Sequence, residues 1–303
     1  MSLLNSKIAI IGAGKIAHSL SSALNKAGFK IISIISKDIK SAKLLAHKIN
    51  AGKFSNKISE VDPSANLIIL SVPDDQIKKI ASSLSRLNLR FDKKIFIHLS
   101  GVESLQALKP LAKVGGEIAS LHIMQTFPSK KINNISGCWC AVETTNEITQ
   151  KKLFALAKSI ELNPFQIKSE NKVLYHLAGV FASNFITGNL FSASELFSNA
   201  AEQDLFLKVF RSISETAIAN NFKEGILNSL SGPIERGDVS TIITHLKALK
   251  SIKDFNSGMK KILMKNYVHQ SLTLLELIKR RDGKLSGQHL KIKKLLKVAS
   301  ANL

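Results

Sequence analysis

The segment 7–17 constrains the fold more than any other part of the chain. It reads KIAIIGAGKIA, a short apolar run followed by a Gly-x-Gly-x-x-Ala turn. In a strand–turn–helix unit, Gly12 permits the tight turn, Gly14 lets the backbone approach a pyrophosphate, and small Ala17 lets the helix pack closely on the strand. The amides and the dipole at the start of that helix favour a bound anion. The segment therefore predicts a dinucleotide site, with a purely structural glycine turn as the alternative.

The end of the second predicted strand, residues 30–35, bears on the choice of nucleotide. Ser36 and Lys37 stand where NAD-specific proteins place an acidic residue on the ribose 2′-hydroxyl. A hydroxyl and an ammonium group suit a 2′-phosphate, so the sequence favours NADP over NAD. Asp38 is the argument for NAD, although it is also placed to cap the helix that follows. The predicted cofactor contacts are Gly12, Ala13, Gly14, Lys15, Ile16, Ser36, Lys37, Val72, Pro73 and Ser100.

Apolar strand segments alternate with helical patterns through the first half of the chain. The predicted strands are 7–11, 30–35, 66–72, 94–99, 117–121, and two more near 139–142 and 165–167. Their near-continuous apolar runs are typical of a parallel sheet that is buried on both faces. From about Glu170 onward, apolar residues recur every three or four positions, as in helices, and no further strand pattern follows. The expected fold class is therefore α/β, with a doubly wound, mainly parallel sheet over 1–168 and a second, all-helical domain over 169–303.

The first helix of the second domain is predicted to be long. It is expected to run from Lys172 to beyond Phe197, and it is apolar on nearly all sides. Such a helix favours burial between neighbouring helices or across a dimer interface. His176 and Asn184 lie on it about 80° apart in projection, so they can flank one cleft.

Polar side chains at strand ends and on this helix are the candidates for catalysis. Hydride transfer to a C=O or C=N group needs a proton donor and hydrogen bonds for the charge that develops on the heteroatom. His122 and His176 are the candidate acids because histidine titrates near neutral pH. Ser100 and Asn184 are candidates for neutral hydrogen bonds to a substrate. A histidine bonded to backbone and a helix–helix hydrogen bond at Asn184 are the structural alternatives.

Arg236 is the remaining candidate, because arginine is rare in this lysine-dominated chain. Its guanidinium group is suited to binding a substrate carboxylate at two points. The alternative is an ion pair with Asp238 or Glu235 that holds a tight turn between helices.

The net charge of +21 raises the question of a polyanionic partner. The excess is nearly all lysine and is spread over the chain, without the arginine clusters or interleaved aromatic residues that nucleic-acid recognition favours. The pattern predicts a solvated surface, and nucleic-acid binding is the weaker alternative. Neither a signal peptide nor a membrane span is expected, which favours a cytoplasmic location. The region around the two cysteines lacks the further ligands of a metal site, so no metal is expected.

Six motifs in combination resemble one known family. They are Gly12-Ala13-Gly14, Val72-Pro73-Asp74, His98-Leu99-Ser100-Gly101, Leu121-His122 with Gln125-Thr126-Phe127, HLAGVFASN at 176–184 and SGPIERGD at 231–238. The combination resembles Rossmann-like proteins whose C-terminal half is domain of unknown function 2520. That family is similar to pyrroline-5-carboxylate reductase, ketopantoate reductase and 6-phosphogluconate dehydrogenase-like proteins. The resemblance covers nearly the whole chain.

The resemblance implies an NADP-dependent oxidoreductase and a homodimer formed through the helical domain. Its substrate would be a small anionic metabolite, a 2-oxo or hydroxy acid or a cyclic imine, bound between the domains. One departure matters: related dehydrogenases carry a proton-donating lysine four residues before an asparagine, and here Val180 occupies that position before Asn184. A second hypothesis therefore stays open, a non-catalytic NADP-binding protein with a regulatory or scaffold role.

Overall fold

The computed structural model describes residues 6–252 and 257–301. The chain divides into two compact units, Met1–Phe185 and Ile186–Leu303. The predicted domain boundary after residue 168 falls where the sheet ends, whereas the first unit also includes the helix that follows the sheet. The boundary therefore stays a prediction.

The first unit is organised around one eight-stranded sheet. Its strands are β1 (Lys7–Ile11), β2 (Lys30–Ile35), β3 (Lys53–Ser55), β4 (Leu67–Leu70), β5 (Ile95–His98), β6 (Glu117–Ile123), β7 (Trp139–Glu143) and β8 (Asn163–Gln166). The order is β3-β2-β1-β4-β5-β6-β7-β8, and all neighbouring pairs are parallel except β6 and β7. This confirms the predicted fold class.

Helices cover both faces of the sheet. Those of the first unit are α1 (Lys15–Lys26), α2 (Ile39–Lys48), α3 (Asp74–Leu84), α4 (Lys109–Ala112), α5 (Glu147–Ser159) and α6 (Lys172–Ala182). Ile8 and Ile10 of β1 share a core with α1 and α2, whereas Ala9 and Ile11 share the opposite core with α3. Successive strand residues point to opposite faces, so a strand between two helical layers must be apolar throughout.

One strand has no sequence signal. β3 is three residues long, Lys-Phe-Ser, and it pairs with β2 at the edge of the sheet. An edge strand of this length can be polar and exposed, which is why an apolar run does not mark it.

The second unit is helical. Its helices are α7 (Asn184–Ser198), which begins just before the division, α8 (Phe206–Lys223), α9 (Val239–Ser251), α10 (Ser257–Asp282) and α11 (Gly287–Ala301). Ile242 of α9, Val268 and Leu275 of α10, and Ile292 of α11 form its core. Within the described residues, no helix combines the length and apolar character that crossing a bilayer requires.

The prediction of one unbroken helix from Lys172 to beyond Phe197 is wrong. Ser183 separates α6 from α7, with φ −134° and ψ −64°. Its hydroxyl donates to the Gly179 carbonyl at 2.7 Å and to Asn184 Oδ1 at 3.0 Å. A serine that bonds the carbonyl four residues back competes with the helical ladder and bends it. Several apolar side chains along α6 and α7, such as Phe181 and Phe191, are exposed.

Candidate functional site

The glycine turn is wedged between the ends of three strands. Gly12 has φ +103°, and its N–H donates to the Ile35 carbonyl at 2.7 Å. A Cβ on Gly12 would lie 2.0 Å from the Ser71 carbonyl oxygen, just after β4. Both the backbone angle and the missing space therefore exclude any side chain at this position.

The N-terminus of α1 is open toward a ligand. Gly14 is its N-cap and makes no side-chain capping bond, and the first turn contains no acidic residue. A Cβ on Gly14 would meet only the Ser71 carbonyl, at 3.8 Å, so nothing in the protein fills the space in front of it. Lys15, the first helical residue, is exposed, and Ala17 is fully buried beneath the helix. Free amides at a helix start are suited to a pyrophosphate.

A cavity of about 820 Å³ extends from this turn to the end of β2. The predicted residues Ser36 and Lys37 line it, together with Ser41 and Lys130. Lys130 donates from Nζ to Ser41 Oγ at 2.8 Å. Lys130 lies in an irregular stretch after β6, so no sequence pattern connects it with the end of β2.

Asp38 serves as the N-cap of α2. Its carboxylate accepts hydrogen bonds from the backbone N–H groups of Lys40 at 3.1 Å and Ser41 at 3.2 Å, and from Ser41 Oγ at 2.5 Å. The hydrogen bond from the Ser41 side chain is the main reason that the pKa of Asp38 is lowered. The predicted capping role is confirmed, and it occupies the carboxylate that was the argument for NAD.

A second cavity, of about 410 Å³, continues along the same edge of the sheet. Gly14, Val72, Pro73 and Ser100 line it, as does Phe127. Ser100 is buried, and its hydroxyl oxygen accepts from the N–H groups of residues 102 and 103 at 3.1 and 2.9 Å. These bonds fix the loop that follows β5.

Two predicted histidines meet beside Gly101. A Cβ on Gly101 would lie 2.8 Å from His122 Nε2 and 2.8 Å from His176 Nδ1. The two ring centroids are 6.0 Å apart. Glycine at 101 therefore leaves room for two imidazole nitrogens to face the same point. His122 belongs to β6 rather than following it, as the sequence suggested, and His176 belongs to the second turn of α6.

Tyr175 completes this cluster, and sequence reasoning missed it. Its hydroxyl lies 3.0 Å from His122 Nδ1. Its ring makes edge contacts with His122 and with Phe165 of β8, at centroid distances of 5.5 and 5.7 Å. Ala141 of β7 pairs in register with both His122 and Phe165, so a small residue separates the two rings that Tyr175 contacts.

Burial changes the protonation of His122 and His98. It lowers the pKa of His122 to about 4, with smaller contributions from His176 and the charge of Lys172. His122 is therefore neutral at pH 7, contrary to the expectation that it titrates near neutrality. His98, fully buried in β5, has its pKa lowered to about 3, chiefly by burial, and its Nδ1 accepts from the Ser100 N–H at 3.2 Å.

A buried ion pair anchors the start of α6. Lys172 Nζ lies 2.9 Å from Glu143 Oε2, and the two side chains are 1% and 4% exposed. Lys172 also donates to Ser120 Oγ at 2.9 Å, and Ser169 Oγ donates to Glu143 Oε1. Because charges so deeply buried must be paired, each residue requires the other. The pair is 29 residues apart in sequence, and no local signal marks it.

Helix α6 follows β6 contact by contact. Lys172 binds Ser120, Tyr175 binds His122, and a Cβ on Gly179 would lie 2.9 Å from the Met124 sulfur. One turn of the helix therefore corresponds to two residues of the strand and the segment after it.

Asn184 and Arg236 lie apart from this cluster in the chain. Asn184, the first residue of α7, is exposed and accepts the Ser183 hydroxyl bond. Arg236 is exposed in the second unit and forms no ion pair within the described residues, while Glu235 pairs with Arg281 at 3.4 Å. Asp238 instead caps α9, and bonds from Thr241 are the main cause that lowers its pKa to about 2. Neither predicted role of Arg236 is decided by these contacts.

No group of three or more histidine, cysteine, aspartate or glutamate side chains is placed to hold a metal ion in the parts of the chain described.

Two family descriptions match the chain. A Rossmann-like domain matches residues 3–123, and the domain of unknown function DUF2520 matches residues 138–266. These matches confirm the resemblance drawn from the six motifs. No curated protein matches the chain in sequence.

Several solved structures share the fold. A candidate NADP oxidoreductase from Bacteroides fragilis is 24% identical, with 86% of this chain and 96% of that chain covered and a TM-score of 0.74. A pyrroline-5-carboxylate reductase from Coxiella burnetii is 14% identical, with 97% and 98% covered and a TM-score of 0.55. A reductive aminase from Aspergillus terreus, in complex with NADPH and ethyl-5-oxohexanoate, is 13% identical, with 98% and 94% covered and a TM-score of 0.60. At these identities the likeness establishes the fold.

Proposed function

We propose that this chain, in which a Rossmann-like domain precedes a DUF2520 domain, is an NADP-dependent oxidoreductase. It transfers a hydride between NADP(H) and a small anionic metabolite, a 2-oxo or hydroxy acid or a cyclic imine. One observation carries the proposal: the uncapped amides of α1 face open space at Gly14, between two cavities that line one edge of the sheet. Ligands of doubly wound sheets bind at this edge.

The residues present fit such a nucleotide. Gly12, Gly14 and the first amides of α1 would hold the diphosphate. Ser36, Lys37 and Lys130 line the cavity at the end of β2, where two ammonium groups and a hydroxyl suit a 2′-phosphate. When bound, the nicotinamide supplies the hydride. The NADPH-bound reductive aminase and the candidate NADP oxidoreductase named above support the same nucleotide.

The reacting group of the substrate is proposed to lie near Gly101. His122 and His176 present ring nitrogens there, and the Ser100 loop shapes the adjoining cavity. The proposed roles of Asn184 as a hydrogen-bond partner and of Arg236 as a carboxylate ligand rest on their residue types.

We also propose a homodimer formed through the helical domain. Phe206 is the only buried residue of α8 among those described. Leu207, Ile213 and Phe222 of this helix are 77%, 65% and 88% exposed. Large apolar side chains with so little cover are typical of an interface. Sedimentation at several protein concentrations tests this, and a monomer at every concentration would overturn it.

Gly14→Ala tests the nucleotide site. The new Cβ has room in the protein but stands where a diphosphate would approach. A diphosphate held further away would lose at least one hydrogen bond, so we expect NADPH affinity to fall ~10-fold or more. Titration calorimetry measures it. Gly188→Ala is the matched control, because a Cβ on that helical glycine meets nothing within 4 Å. Unchanged affinity in Gly14→Ala would contradict the proposal.

Cofactor choice and turnover complete the test. Lys37→Ala and Lys130→Ala should each weaken NADPH binding more than NADH binding, and an unchanged ratio in both would contradict NADP. NADPH oxidation is then screened against 2-oxo acids and cyclic imines. Tight NADPH binding without turnover would favour the non-catalytic alternative, which the absence of a lysine at Val180 supports.

A further inference from the structure

The contact between Tyr175 and His122 gives the imidazole a direction. The hydroxyl lies 3.0 Å from Nδ1, while Nε2 lies beside Gly101. The ring of Tyr175 is held in place by edge contacts with His122 and Phe165. The two nitrogens of His122 therefore have different surroundings: one contacts a phenol, and the other faces His176 across the place where Gly101 has no side chain.

The chemistry of the two groups decides which one donates. A phenol is a stronger hydrogen-bond donor than an imidazole N–H, and an imidazole sp² nitrogen is a stronger acceptor than a phenol oxygen. Burial raises the pKa of Tyr175 to about 12, so the phenol keeps its proton. The hydroxyl has no other hydrogen-bond partner within the described residues. Donation to Nδ1 satisfies it, whereas acceptance would leave its proton without a partner.

The neighbouring His98 shows the same arrangement with a donor that leaves no choice. Its Nδ1 lies 3.2 Å from the Ser100 N–H, which can only donate. A neutral imidazole whose Nδ1 accepts carries its proton on Nε2. His98 is thus held by a donor at Nδ1, the same atom that the Tyr175 hydroxyl approaches in His122.

We propose that Tyr175 is a positioning residue that donates its hydroxyl proton to His122 Nδ1 and so keeps the imidazole proton on Nε2, as a neutral hydrogen-bond donor beside Gly101. The tautomer follows from the 3.0 Å contact together with the stronger donor character of the phenol. Its use in reduction rests on the proposed function: the Nε2–H group would bind the carbonyl oxygen or another acceptor atom of the substrate. His122 loses no proton in this role. A fixed neutral imidazole can stabilise negative charge that develops on such an atom.

Tyr175→Phe tests the tautomer directly. The variant keeps the ring that packs on Phe165 and removes only the hydroxyl. In the full-length protein labelled with ¹⁵N at histidine, wild-type His122 should show a protonated Nε2 and an unprotonated Nδ1 at pH 7. In the variant, both nitrogens should shift toward intermediate values as the tautomers mix. His122→Gln identifies the signals.

Tyr267→Phe is the matched control, because Tyr267 contacts His245 Nδ1 at the same 3.0 Å in the second unit. It should leave the His122 signals unchanged. A wild-type His122 that carries its proton on Nδ1, or His122 signals that Tyr175→Phe does not move, would overturn the proposal.

Activity separates this inference from the proposed function. With a substrate found in the screen, Tyr175→Phe should lower kcat/KM ~10-fold, the loss of one net hydrogen bond, with KM for NADPH unchanged. If the ¹⁵N signals are as expected but no substrate is turned over, the proposed reductase activity is contradicted and the proposed tautomer of His122 is retained. Full activity of the variant on a working substrate would refute the catalytic use of the Nε2–H group.

Discussion

The molecule contains two tyrosine–histidine pairs of nearly the same geometry, one in each unit. Tyr175 and His122 are joined by a contact of 3.0 Å, with ring centroids 5.5 Å apart and planes at 90°. Tyr267 and His245 are joined by a contact of 3.0 Å, with centroids 5.7 Å apart and planes at 85°. The geometry of the tyrosine–histidine contact alone does not distinguish them.

Their surroundings do. His122 lies in a strand of the sheet beside His176 and the charge of Lys172, and burial lowers its pKa to about 4. His245 is an exposed residue of a surface helix. A pair that water can reach loses little when one partner changes, whereas a pair in a low-dielectric site depends on its partner. Burial and neighbouring charge, rather than contact geometry, distinguish the pair that we propose to be functional.

Breaking the anchor beneath the first pair should have the largest effect. Lys172→Met leaves Glu143 buried without a cation, which should lower the free energy of unfolding by about 3–5 kcal/mol. Urea denaturation followed by circular dichroism measures it. Lys168→Met, a change at an exposed lysine nearby, should have almost no effect. Equal losses in the two variants would show that the buried ion pair contributes no more to the free energy of unfolding than an exposed lysine does.

Gly101→Ala tests whether the two imidazoles need the space beside the glycine. A new Cβ only 2.8 Å from both nitrogens must push the rings away, so we expect a loss of about 1–3 kcal/mol in the free energy of unfolding. The ¹⁵N signals of His122 and His176 should move, and those of His245 should not. Unmoved His122 and His176 signals would mean that the rings do not converge there.

The pH dependence of folding stability is the smallest effect that we expect from the Tyr175–His122 pair. Because the pKa of folded His122 is lowered from 6.5 to about 4, the unfolded chain binds more protons between these values. Stability should therefore be fully present above pH 6.5 and decline as the pH falls toward 4. His176 and Lys172 oppose the protonation of His122, whereas Glu143 pairs with Lys172 and offsets its charge.

His122→Gln should flatten the fall in stability between pH 6.5 and 4. Melting temperatures of the wild type and the variant across this range measure it. A slope that His122→Gln leaves unchanged would contradict the lowered pKa.

Most of the sheet could be predicted from the sequence because its strands follow local patterns. The glycine turn and the apolar runs of β1, β4 and β5 identify a parallel sheet wherever they occur. β3 was not predicted because its three polar or exposed residues, at the edge of the sheet, form no apolar run. The predicted long helix failed at Ser183, because a side-chain bond to Gly179 competes with the ladder that apolar spacing indicates.

Part of the candidate site could be proposed from the sequence, for a similar reason. The residues at strand ends, such as Ser100 and His122, are found from the strand pattern. Lys130 and the Lys172–Glu143 pair depend on which distant segments meet, which one sequence does not show. Tyr175 could have been proposed from the sequence, because it is the neighbour of the candidate His176. It lies three residues after Lys172, on the side of α6 that contacts the sheet.

The parallel course of α6 and β6 has a consequence for length. Two strand residues advance about 6.6 Å and one helical turn about 5.4 Å, so the segments from Ser120 to Met124 and from Lys172 to Gly179 advance by similar lengths, about 13 Å and about 10.5 Å. Adding or deleting one residue between Lys172 and Gly179 would rotate everything beyond it by about 100°. The contacts with β6 therefore fix the number of residues in this interval as well as their identity at Lys172, Tyr175 and Gly179.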